Sequence, residues 1–123
     1  MTRGILGVVA GLAAWIASAT VVDLIVRAAW PQYAAVVATM AFTLLMMLAR
    51  LATGALSTLL AGWVTAVITR QSTLARVTTG VLLLVSFIPV HIGLWHKFPV
   101  WYHLTFLLSL VPLTWLGGRI ATR

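Results

Sequence analysis

Apolar runs too long for a soluble element, broken by almost no charge, are the feature that most narrows what this chain can become. From Gly4 to Val26 the only charged residue is Asp23, and from Gln32 to Thr69 it is Arg50. No Asp, Glu, Lys or Arg occurs from Val77 to His96 or from Phe98 to Gly118. An α-helix rises about 1.5 Å per residue, so roughly 20 such residues cross a hydrocarbon core of about 30 Å. The composition agrees: 63% of residues are hydrophobic and 7% charged, against about a quarter charged in soluble domains. A soluble globule of this make-up would expose large apolar patches. The expected fold is an all-α integral membrane bundle, one domain over residues 1–123.

The spans follow from the punctuation. The first covers residues 4–29, after Arg3 and up to Trp30. Ala17-Ser18-Ala19 has the small residues of a signal-peptide cleavage site, but apolar residues continue past it, and the run reads as an uncleaved span. Pro31 suits the first position of a new helix. Residues 31–69 are too long for one crossing. Either they split around Arg50, or residues 31–41 form an interfacial lead-in before a crossing over 42–69. Charge favours the second, because Met47 to Ala52 holds no turn residue and a crossing there would put Arg70 and Arg76 outside. Two further spans follow, over 77–95 and 100–118, with Gln71 to Ala75 as the link before them. Pro89 and Pro112 are expected to kink their helices, and Gly117-Gly118 to loosen the last helix end.

Four spans place Arg3, Arg70, Arg76, Arg119 and Arg123 on one side and Arg27 and Lys97 on the other. Under the positive-inside rule both termini are cytoplasmic, and the expected location is a bacterial inner membrane. The net charge of +7 is spread as single residues between apolar runs, without the basic stripe that tracks phosphates, so nucleic acid is not the expected partner. With no cysteine in the chain, disulfides, thiolate metal sites and cysteine nucleophiles are excluded.

The turn from His91 to His103 collects all three histidines, the only lysine and Pro99. It reads as the outer corner of a hairpin, with Trp95, Trp101 and Tyr102 as interfacial anchors and Trp115 at the inner boundary. Asp23 is the only acid, and an ionisable group at that depth is a functional candidate. It is either a structural ion pair with Arg50 or Arg27, or a proton- or cation-binding carboxylate. His91 and His103 fall at similar depth on antiparallel neighbours. They are candidate haem or metal ligands with His96, or plain hydrogen-bonding residues.

Gly7 and Gly11 form a small-xxx-small pair on the first span, and Gly54, Thr58, Gly62 and Ala66 a row on the second, beside Ser57, Ala61 and Thr65. Such rows let helices approach closely where lipid supplies no hydrophobic drive. No nucleophile triad, phosphate loop or metalloprotease helix is present. Size and span number are similar to those of small multidrug and fluoride exporters, but the early membrane glutamate and the asparagine-rich pore of those families are absent. The expected function is non-enzymatic: an accessory, scaffolding or assembly subunit that packs against itself or a larger membrane complex, with no cofactor. The alternatives are a small homo-oligomeric transporter or channel using Asp23, Arg50 and the histidines, and a haem or metal binder at the outer hairpin.

Overall fold

The computed structural model describes residues 2–121, so Arg123 of the terminal basic set lies outside it. The first helix, α1 (Thr2–Ala29), runs unbroken through Ala17-Ser18-Ala19. It ends where Pro31 bars the residue before it from helical geometry. Trp30 accordingly has φ −131° and ψ 86°, and Pro31 opens the short helix α2 (Pro31–Val36). A turn through Met40, at φ 57°, leads to α3 (Leu44–Thr69). The Thr43 hydroxyl caps α3 by accepting from the Met46 N–H at 3.3 Å, which supplies an orphan donor of the first turn with a partner. The lead-in at 31–41 is thus a helical turn and a reversal, and the span expected from residue 42 begins only after that cap.

Arg70 and Gln71 adopt left-handed conformations at φ 54° and 70°, and the Gln71 N–H closes α3 on the Ala66 carbonyl. The Ser72 hydroxyl then caps the next helix at the Ala75 N–H. Helix α4 (Thr73–Gly93) therefore starts before the expected residue 77, and the link shrinks to Arg70–Ser72. A 3₁₀ turn over Trp95–Lys97 and Pro99 lead into α5 (Val100–Ile120). The α5 helix passes straight through Gly117 and Gly118, which do not loosen its end. Both are buried against neighbouring helices, and that packing keeps them helical.

Helices α1, α3, α4 and α5 are each long and apolar enough to cross a membrane. Among the described residues there is no strand. Helix α3 packs most extensively on α1 and α5, α5 also on α4, and α4 more lightly on α1. The order around the bundle is α1, α3, α5, α4, which makes the parallel helices α3 and α5 neighbours. Small residues permit this: a Cβ at Gly62 would strike the Thr114 carbonyl, and one at Gly117 the Leu59 carbonyl, so the two backbones touch directly.

The interior mixes small polar residues with aromatic and aliphatic ones, while the outside is largely aliphatic. Ser57, Thr58, Thr65, Thr79 and Thr114 are buried, whereas Leu74, Leu108 and Ile92 are 78%, 71% and 69% exposed. Thr65 donates to the Gly7 carbonyl at 3.1 Å and pairs with Thr79 at 3.0 Å, tying three helices together. Arg76, expected at the solvent boundary, is buried, and donates to the Trp115 carbonyl and to Thr73. One end of the bundle gathers the chain turns 30–43 and 94–99 with an aromatic cluster. The other gathers the two ends of the described chain and the Arg70–Ser72 link.

Candidate functional site

At the aromatic end α1, α3, α4 and α5 enclose a half-open cavity of about 360 Å³, with α2 and the turn after it on its rim. Its floor is apolar, formed by Trp15, Gly54, Phe87 and Phe106; its walls carry Asp23, Arg27, Arg50, Tyr33, Tyr102 and His91. Trp15 is fixed by a 3.0 Å hydrogen bond from its indole N–H to Thr58, which itself donates to the Gly54 carbonyl at 2.6 Å.

Asp23 takes Arg27, one helical turn on, as its ion partner: Arg27 Nε lies 2.7 Å from Asp23 Oδ2. The alternative pairing with Arg50 is not formed directly. Arg50 donates instead from Nη1 to the Tyr33 hydroxyl at 2.9 Å and from Nε to the Tyr102 hydroxyl at 3.2 Å. The Tyr33 hydroxyl in turn reaches Asp23 Oδ1 at 3.4 Å. The only acid of the chain thus pairs with Arg27, and Arg50 lies one hydroxyl away from it.

The guanidinium is also held by rings. Its central carbon sits 4.7 Å over Phe42 and 5.8 Å from the Phe98 ring centre, a range in which a cation is attracted to an aromatic face. Trp30, Tyr33, Phe42, Phe98 and Tyr102 form one continuous stack, with centroid separations of 5.8, 5.2, 5.9 and 4.3 Å. Helix α2 contributes Tyr33 to that stack, and the α2–α3 turn contributes Phe42. This gives the 30–43 segment a positioning role that its sequence did not announce.

His91 and His103 meet, Nδ1 to Nδ1, at 2.7 Å. Both are buried; His91 stacks on Phe106 and His103 on Trp95. Their proton arrangement follows from the third partner. His103 Nε2 faces the Trp95 carbonyl at 3.3 Å, and a carbonyl only accepts. In the neutral pair His103 therefore carries its proton on Nε2, and its Nδ1 accepts from the Nδ1–H of His91. That leaves His91 Nε2 as a bare lone pair with no hydrogen-bond partner among the described residues, on a side chain that lines the cavity. As a ligand set the histidines are poorly placed: both nitrogens of His103 are engaged, and His96 is exposed in the 3₁₀ turn. No group of three metal-ligating side chains occurs among the described residues.

The small-residue rows lie inside the bundle. Gly7 and Gly11 face Thr65 and the end of α3, Gly54 faces the Phe106 ring, and Gly62 the α5 backbone; Thr58 and Ala66 are buried beside them. Sequence reasoning missed Tyr33, Phe42 and Phe98, and misread Tyr102. Expected as an interfacial anchor, Tyr102 is 4% exposed because its hydroxyl is the partner of an interior arginine. A signal existed: the chain has two tyrosines, and an arginine in an apolar helix needs acceptors that only polar-tipped rings could supply there. No family model, curated protein or solved structure matches this chain.

Proposed function

We propose that this protein is a four-span integral membrane protein of a bacterial inner membrane, with both termini cytoplasmic, that acts by binding a small ligand rather than by catalysis. The observation that carries this reading is the cavity at the aromatic end, where charged and hydroxyl groups from four elements converge above an apolar floor. Ligand sites combine this mostly apolar lining with a few fixed polar groups. Scaffolding through the glycine rows is less well supported, since those rows are used in contacts between the protein's own helices. A conduit is also less well supported. Below Trp15 and Phe106 the bundle is filled by Leu83, Leu110 and the α3–α5 backbone contact, which leaves no continuation of the cavity toward the other end.

Two experiments test the reading. The chain lacks cysteine, so single cysteines report topology cleanly. With the proposed orientation, Lys97→Cys is labelled by an impermeant maleimide in intact cells and Thr2→Cys only after permeabilisation; the reverse pattern overturns it. For binding, native mass spectrometry after mild detergent extraction is expected to show a bound small molecule that is lost in a cavity-filling Ala19→Phe variant. A stoichiometric protein partner with no small-molecule adduct would return the scaffold reading.

A further inference from the structure

Arg50 is the one charge in the cavity without a countercharge of its own. Asp23 is bound by Arg27, and Arg50 has no carboxylate within ion-pair distance among the described residues. Its two hydrogen bonds go to neutral hydroxyls, through Nε and Nη1. Counting Asp23, Arg27 and Arg50, the walls carry one excess positive charge. The remaining nitrogen, Nη2, donates to nothing among the described residues, although the side chain lines the cavity. Cations inside apolar bundles are normally paired, because an uncompensated charge there is expensive. The guanidinium is also held in place before any ligand arrives, by two hydroxyls and by the Phe42 face. A planar, preset guanidinium with free donors matches oxyanions.

We propose that the cavity binds an oxyanion, a phosphate or carboxylate group, with Arg50 as its charge partner and the floor of Trp15, Phe87 and Phe106 taking any apolar tail. The inference rests on the ligand-binding reading above and names its ligand class. The anion can be an amphiphile's headgroup or a free ion, and the same titration tells them apart.

The test is calorimetric titration of the purified protein in a neutral detergent with dodecyl phosphate, inorganic phosphate and dodecyltrimethylammonium. The expected result is binding of dodecyl phosphate in preference to the cationic amphiphile, weakened at least tenfold in Arg50→Gln. Competition by millimolar inorganic phosphate would identify the free ion as sufficient; failure to compete would identify a tailed headgroup. Should Arg50→Gln not fold, Thr53→Asp keeps the arginine and sets a carboxylate one turn away on the same cavity wall. That variant is expected to abolish phosphate binding while leaving the fold intact. Unchanged dodecyl phosphate affinity in the folded variants, or a preference for the cationic amphiphile, overturns the oxyanion assignment and leaves cavity binding standing. Absence of binding by either amphiphile overturns both.

Discussion

Tyr33 and Tyr102 give Arg50 hydrogen bonds but no charge, and that division shapes the chemistry of the interior. Removing either hydroxyl leaves a guanidinium nitrogen of the half-buried Arg50 without its partner. The expected loss is about 1–3 kcal/mol for Tyr102→Phe or Tyr33→Phe. Because both act on Arg50, the double variant is expected to lose less or more than the sum, by at least about 0.5 kcal/mol in a cycle. Unfolding in mild detergent reads both quantities, and strict additivity would mean that the two hydroxyls do not share the arginine. The histidine pair makes a second residue-level prediction. Nitrogen-15 spectra recorded with the histidine pair neutral should show His103 protonated at Nε2 and His91 at Nδ1, since only that arrangement satisfies the Trp95 carbonyl. The opposite tautomers would reverse the assignment of the free lone pair.

Among the elements, the α3–α5 contact is the one most sensitive to a single methyl group. A Cβ at Gly62 or Gly117 meets a backbone carbonyl, which cannot rotate away as a side chain can. Gly62→Ala and Gly117→Ala are each expected to destabilise by about 1–3 kcal/mol or more through overpacking. Gly4→Ala, with nothing near its Cβ, is expected to be neutral or stabilising by up to about 1 kcal/mol, from helix propensity alone. Equal effects at the three positions would show that backbone approach does not hold this pair. The start of α3 depends on one hydroxyl in the same way: Thr43→Ala removes the cap on Met46 and is expected to cost about 1 kcal/mol. Fraying there would also release Phe42 from the ring stack, so the cap and the cavity are linked through one turn.

For the whole molecule, several threonines are buried between the helices while many large aliphatic side chains face outward. The proposed membrane location turns this into a prediction at Leu108, 71% exposed on α5. Leu108→Arg is expected to lower insertion by about 2.5–3.5 kcal/mol, visible as loss from the membrane fraction or as proteolysis. An unaltered yield of folded, membrane-associated protein would argue against lipid at that face. The all-helical class and four apolar helices were legible in the chain, because length and hydropathy act through local sums that need no tertiary information. The turn at Pro31 was legible too, since proline restricts its predecessor whatever surrounds it. The ends of α4 and α5 were not. Ser72 could only be recognised as a cap once the chain reversed at Arg70 and Gln71, and Gly117-Gly118 look like a weak helix end until Leu59 and Arg76 are seen against them. The candidate site was half legible: Asp23, Arg27, Arg50, His91 and His103 stood out as the rare polar residues in apolar runs. By itself the sequence determined which side chains are too polar to face hydrocarbon. Only the tertiary structure decided which of them meet. Helix rotation and the α1, α3, α5, α4 order set that outcome, and both depend on backbone contacts between residues far apart in the chain.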